Sequence, residues 1–241
     1  MRNVQAMGIA LLMAIAGRAW ADLGVESSRV IYPAGETSVA LRVWNKSERP
    51  SLIQTWIDEG DAAASPETLR TPLMAIPPVF RLDPSQNRDV LLRAMDVTSL
   101  PEDRESLLWL NVLDIPGRAP ATVEGQAPEY AVSWRLKVFY RPAGLVGTVA
   151  EAASGLSWRV TRDESGQSRL QAHNRSAFHV SLAALSMDGN PLPLSPEHAV
   201  VAPRSTWSLA LDPAWTPGGE LEVRWIDDRG KSQAMAVPLG G

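Results

Sequence analysis

The chain has 241 residues, 45% of them hydrophobic, with no cysteine and a formal charge of −4 at neutral pH. That balance disfavours nonspecific binding to nucleic acid or to an anionic membrane, both of which call for a cationic face. The lack of cysteine excludes thiol chemistry, disulfide staples and cysteine-type zinc sites, so apolar cores must hold the fold.

In chain order, a targeting segment comes first. Arg2 gives a positive start, Ala6 to Gly17 is an apolar run too short to span a bilayer, and Ala19-Trp20-Ala21 is a small-x-small cleavage site. Residues 1–21 therefore read as a signal peptide, although Arg18 leaves the position of the cut open. The mature chain is expected to be exported, with no stable membrane insertion. Cleavage removes Arg2 and Arg18 and no acid, moving the charge from −4 to −6.

Short alternating segments follow. Predicted strands are Val25–Tyr32, Thr37–Asn45, Ser51–Asp58, Val79–Leu82, Asp89–Ala94, Leu107–Ile115 and Tyr130–Arg141. Turn signals separate them: Pro33-Ala-Gly35, Lys46 to Pro50, Asp83-Pro-Ser85 and Pro116-Gly117. Residues 60–72 form a polar loop. This density of short strands predicts an immunoglobulin-like sandwich. Pro142-Ala-Gly144 reads as a hinge, giving domains 22–142 and 143–241. The second domain is expected to hold strands at Leu156–Thr161, Arg169–Asn174, His179–Met187, Ser205–Leu211, Leu221–Asp227 and Gln233–Val237.

The stretch Tyr130–Arg141 is the most informative. Tyr130, Val132, Trp134, Leu136, Val138 and Tyr140 share one face; Ala131, Ser133, Arg135, Lys137, Phe139 and Arg141 share the other. Such a strand is about twice the common length, and Pro142 ends it because proline cannot donate to a ladder. A strand longer than its sheet leaves an edge of unpaired N–H and C=O groups that another chain can join.

No catalytic chemistry is signalled. His173, His179 and His198 have no metal-ligand spacing, and no HExxH, GxSxG, GxGxxG or P-loop occurs. Asp58-Glu-Gly-Asp61 lacks calcium-loop spacing and reads as a solvated turn. Asn45-Lys-Ser47 and Asn174-Arg-Ser176 match the glycosylation pattern, which is too short to carry weight. The aromatic and basic residues of 134–141 split between two strand faces and read as core and surface, not as a nucleic-acid face. The expectation is a non-enzyme with no cofactor and no metal.

Several stretches in order carry a family resemblance: Ser28-Arg-Val-Ile-Tyr-Pro33, Leu52-Ile-Gln-Thr-Trp-Ile-Asp58, Pro77-Pro-Val-Phe-Arg-Leu-Asp-Pro84, Leu100-Pro-Glu-Asp-Arg-Glu-Ser-Leu107, Leu110-Asn-Val-Leu-Asp-Ile-Pro116 and Lys137-Val-Phe-Tyr-Arg-Pro142. The mature chain resembles the periplasmic pilus-assembly (fimbrial) chaperones of the chaperone–usher pathway. The resemblance implies an all-β boomerang of two immunoglobulin-like β-sandwich domains with a cleft between them. It implies a periplasmic chaperone of a Gram-negative cell that stabilises pilin subunits by donor-strand complementation and passes them to an outer-membrane usher. By the same resemblance, Arg29 and Lys137 anchor the subunit's terminal carboxylate, and Tyr130, Val132 and Trp134 form the donor strand. Glu105, Arg141 and Asp228 (or Asp227) form an interdomain ion network. Two departures stand out: Asn174-Arg-Ser176 replaces the usual Asn-Pro pair, and Pro128 precedes the donor residues in phase. The connection 116–129 matches the short-loop class, with an archaic subclass as the alternative. The alternative functions are a structural pilus subunit or adhesin, and an exported hydrolase.

Overall fold

The computed structural model describes residues 23–117, 130–164, 166–212 and 219–239. The expected signal peptide, Pro128 and most of the 116–129 connection lie outside these residues. Strands dominate the regular structure of the described chain, with one short helix among them, and build two sandwiches, each around its own apolar cluster.

The first sandwich uses β1 Leu23–Val25, β2 Arg29–Pro33, β3 Ser38–Asn45, β4 Ser51–Asp58, β5 Leu73–Ile76, β6 Val79–Leu82, β7 Asn87–Ala94, β8 Ser106–Pro116 and β9 Val132–Arg141. One sheet runs β1-β3-β7-β5 and the other β2-β9-β8-β4-β6. Alternate residues point inward, so Val43, Ile53, Val90, Leu92, Leu110, Val112 and Val138 fill the space between the sheets. Burying each such side chain contributes about 1.5–3 kcal/mol.

The expected single strand Val25–Tyr32 is two strands in different sheets. β1 pairs with β3 antiparallel, while β2 pairs with β9 in parallel. The break falls at Glu26, Ser27 and Ser28, which have no apolar face to keep in one sheet, and the Ser27 hydroxyl accepts the Arg29 N–H at 3.3 Å. The crossing brings Arg29 beside Lys137. β5 was not expected, because Leu-Met-Ala-Ile shows no period-two alternation. β9 begins at Val132, two residues after the predicted start, and Tyr130 stands outside the ladder.

The second sandwich begins with a helix the sequence reading missed, α1 Val149–Ser154. Thr148 caps it, its hydroxyl accepting the Glu151 N–H at 3.1 Å while Val149, Ala152 and Ala153 are buried. Strands β10 Ser157–Arg162, β11 Ser168–Asn174, β12 Val180–Met187, β13 Asn190–Pro191, β14 Val200–Val201, β15 Ser205–Ala210, β16 Glu220–Ile226 and β17 Ser232–Pro238 follow. They form a β10-β11-β15 sheet facing a β13-β12-β16-β17 sheet, with β14 also on β12.

Asn45-Lys-Ser47 and Asn174-Arg-Ser176 turn out to be equivalent turn locks, one in each sandwich. The buried Asn45 amide donates to the Arg49 and Leu82 carbonyls at 2.7 and 3.0 Å and accepts from the Ser47 N–H and hydroxyl. Asn174 donates to the Phe178 and Ala202 carbonyls at 2.8 and 3.0 Å and accepts from Ser176 in the same way. The middle residue of the second lock, Arg175, is exposed, so the departure from Asn-Pro leaves the working groups in place.

Candidate functional site

The outward face of β9 meets its neighbours in one cross-sheet row: Asp58 of β4, Trp109 of β8, Lys137 of β9 and Arg29 of β2. Lys137 and Arg29 are direct neighbours on the same face of a parallel pair. Two cations side by side repel, and both sit where water is scarce. Burial, and then the Arg29 charge, lower the Lys137 ammonium to about 8 from its ordinary 10.5. Arg29 is 8% exposed, and its burial likewise lowers its pKa, opposed by the Asp228 and Asp227 carboxylates. Its Nη1 donates to the Ile226 carbonyl of the second sandwich at 3.2 Å, while its buried Nε has no hydrogen-bond partner. Among the described residues no carboxylate pairs with Lys137, whose Nζ lies 5.8 Å from the Trp109 ring centre. The pair sets a guanidinium fork and an ammonium side by side, donor groups of the kind that a carboxylate accepts.

This pair of cations stands at the end of an open strand edge. β2 covers β9 only from Lys137 to Arg141, whereas β8 pairs with it from Val132 to Tyr140. Between Val132 and Leu136 one edge of β9 therefore lacks a partner strand among the described residues. Tyr130 is 72% exposed and Val132 49%, both large apolar side chains. Trp134 is different: it is half-buried and packs on the protein's own first core.

The two sandwiches join through Glu105. Its buried carboxylate takes Arg141 Nε at 2.7 Å on one oxygen and the His179 backbone N–H at 2.7 Å on the other. The Arg141 fork also clamps Asp228 at 2.8 and 2.9 Å. Burial works to lower the Arg141 pKa, but the combined ion pairs with Asp228 and Glu105 outweigh it and raise the value on balance. Around the cluster, Arg141 lies over the Phe178 ring and Phe139 over the His179 ring, and the exposed Arg204–Asp103 pair adds a second tie. Phe139 is on the outward face of β9 yet buried, because the second sandwich covers it.

Comparison with known proteins decides the family. The family described as pili and flagellar-assembly chaperone, PapD N-terminal domain, matches residues 22–146, and the pili assembly chaperone PapD, C-terminal domain, matches residues 151–236. This chain belongs to the pilus-assembly chaperone family. The chaperone is 35% identical to the chaperone protein FimB/FhaD of Bordetella pertussis over 95% of this chain and 92% of that one. It is similar to the crystal structure of the Pseudomonas aeruginosa CupB2 chaperone, with 31% identity and a TM-score of 0.72, covering 90% of this chain and 100% of that one. It is also similar to a Salmonella enterica structure of the SafA pilin in complex with the SafB chaperone, at 26% identity and a TM-score of 0.74, covering 93% and 99%. The family is one of chaperones, not enzymes, which sets aside both the hydrolase and the structural-subunit readings.

Of the residues singled out in the sequence, the chaperone brings Arg29 and Lys137 into contact range as one row. It joins Glu105, Arg141 and Asp228 in one network, with Asp227 instead holding its own turn through the Arg229 and Lys231 N–H groups. Asp58 is a correction. Its side chain is 1% exposed, not solvated, and accepts from Arg135, Asn111 and the Gly60 N–H. Trp109, Asn111 and Arg135 were missed as well. Their signal was the outward phase of β8 and β9, which puts an indole, an amide and a guanidinium side by side where water-facing residues were expected.

Proposed function

We propose that this chaperone works in the periplasm, where it holds a pilin subunit that lacks a strand by lending the open edge of β9, and then delivers it to an outer-membrane usher. The subunit's terminal carboxylate docks between Arg29 and Lys137. Tyr130 and Val132, with the free part of Trp134, enter the gap in the subunit core. The domains 22–142 and 143–241 meet at the Glu105–Arg141–Asp228 network, which sets the cleft around the anchor. The observation that carries this reading is an edge of β9 that lacks a partner strand among the described residues and runs to the adjacent cations Arg29 and Lys137.

The chemistry is sufficient for tight but reversible capture. Each donated apolar side chain contributes about 1.5–3 kcal/mol when fully buried. Each ladder hydrogen bond adds about 1 kcal/mol net, and a charge-assisted one more. The carboxylate also relieves the repulsion between Arg29 and Lys137, so the subunit removes a strain already present in the free protein.

The test is co-purification from periplasm, with mass spectrometry of the bound protein, for wild type, Arg29→Ala and Lys137→Ala. Wild type should bring down a pilin-like subunit. Each variant should lose it by at least about tenfold, since losing several kcal/mol costs a factor of ten per 1.4 kcal/mol. Undiminished capture by both variants would sink the carboxylate anchor.

A further inference from the structure

The open half of β9 carries a second cation on the same face as Lys137. Arg135 lies two residues earlier, which on a strand is about 7 Å along the edge. A subunit carboxylate arriving along this edge would meet Arg135 as well as Lys137. A two-residue slip keeps every side chain on its proper face, so the alternation that normally forbids slippage does not forbid this one.

The chaperone has already engaged Arg135. Its Nη2 donates to Asp58 Oδ1 at 2.6 Å, and its Nε is 3.4 Å from Asp58 Oδ2. Its guanidinium lies over Trp109, with Cζ 4.3 Å from the ring centre. Asp58 is itself held, with Asn111 Nδ2 donating at 2.6 Å and the Gly60 N–H at 2.7 Å. Trp109 stands in the row between Asp58 and Lys137, so the carboxylate that neutralises Arg135 is separated from Lys137 by an indole. The outcome is one neutralised cation and one open cation, two residues apart on one face.

We infer that Asp58 is a register-setting residue: by neutralising Arg135 against Trp109, it leaves Lys137, with Arg29, as the place on this face where a subunit's terminal carboxylate can dock. The inference rests on the carboxylate-anchor reading above. Docking at Arg135 would forfeit two residues of the ladder and withdraw the donated side chains by the same two positions. Asp58 removes that competitor without removing the arginine that packs on Trp109.

The experiment uses the pilin subunit that co-purifies with the chaperone, in its natural length and shortened by two C-terminal residues. Shortening moves the carboxylate back to the level of Arg135 when the rest of the strand stays in register. Wild type should capture the natural subunit and not the shortened one. Asp58→Asn keeps an acceptor for Gly60 while freeing Arg135, and should gain capture of the shortened subunit by at least about tenfold over wild type. The double variant Asp58→Asn with Arg135→Gln should lose that gain. A folded Asp58→Asn that captures only the natural subunit overturns the inference, as does a gain that persists in the double variant. A second arm leaves Asp58 untouched and does not depend on that variant folding. Lys137→Gln should capture neither subunit, and capture of the shortened subunit by it or by wild type overturns the inference. Retained capture of the natural subunit by Lys137→Gln instead sinks the anchor itself, which separates the two failures.

Discussion

At the residue scale, the free chaperone holds Lys137 at a cost. Its depressed pKa means that the folded state binds this proton less tightly than the unfolded chain does. Below about 8 both states are protonated and the folded state bears the full cost of a charge that is desolvated and set beside Arg29. Between about 8 and the ordinary 10.5 the unfolded chain holds the proton and the folded one does not, so stability rises with pH. Above that window the cost is gone. Lys137→Met, which keeps the length and the contact with Trp109, should therefore stabilise the free protein at pH 7 by about 1–3 kcal/mol after solvent screening. Its advantage over wild type should shrink as pH rises from 8 to 10.5. Urea melts of both proteins at pH 7 and pH 10 check this, and an equal advantage at both values would exclude the charge as its cause. Capture of a carboxylate should run the other way. It requires the protonated lysine, so affinity should fall as pH rises above about 8.

At the element scale, β9 divides into a part that belongs to the chaperone's own core and a part that is free. Leu136, Val138 and Tyr140 are buried, Trp134 packs on the core, and Tyr130 and Val132 stand out. Tyr130→Asp and Val132→Asp should lower subunit capture by at least about tenfold while moving the free protein's stability by no more than about 0.5 kcal/mol. Trp134→Ala should cost the free protein about 2–4 kcal/mol by leaving a partial cavity. Thermal melts and pull-down of the same three variants separate the two roles; a melting loss at Tyr130 would show that it packs at home. The alternation of 130–141 made this strand legible before any coordinates, since a period of two has one physical cause. Elsewhere local pattern was insufficient. The split of β1 from β2 depends on which sheet each half joins, and β5 is a short apolar run with no period of its own. α1 is only six residues and too brief for a helical stripe. Asp58 looked solvated beside Glu59 and Gly60, and only the tertiary approach of Arg135 and Asn111 buries it.

At the scale of the whole molecule, the two sandwiches keep separate cores, so their relation depends on the contacts between them, ionic at Glu105, Arg141 and Asp228 and aromatic at Phe139 and Phe178. Glu105 is central to it. One oxygen serves Arg141 of the first sandwich and the other the His179 N–H of the second, and Arg141 reaches on to Asp228. The Arg29 contact with the Ile226 carbonyl and the attraction of Asp227 and Asp228 link the same region to the Arg29–Lys137 pair, so a change in this junction should be felt there. Arg141→Met should strand the buried Glu105 carboxylate without its cation. Removing one partner of a buried pair typically costs about 3–5 kcal/mol. Asp228 is substantially exposed, and water can take over its share, so about 2–4 kcal/mol is expected here. Arg204→Ala breaks an exposed pair across the same junction and should cost no more than about 1 kcal/mol. Adding Glu105→Gln to Arg141→Met removes the stranded charge while leaving an acceptor for the His179 N–H, so the double variant should be more stable than Arg141→Met alone. Melting of the three variants gives the energies, and small-angle scattering reports whether the angle between the sandwiches widens or spreads. A double variant no more stable than Arg141→Met, with scattering unchanged throughout, would show that Glu105 is not stranded by the loss of Arg141 and that the angle is held by the packing of Phe139 on His179 instead.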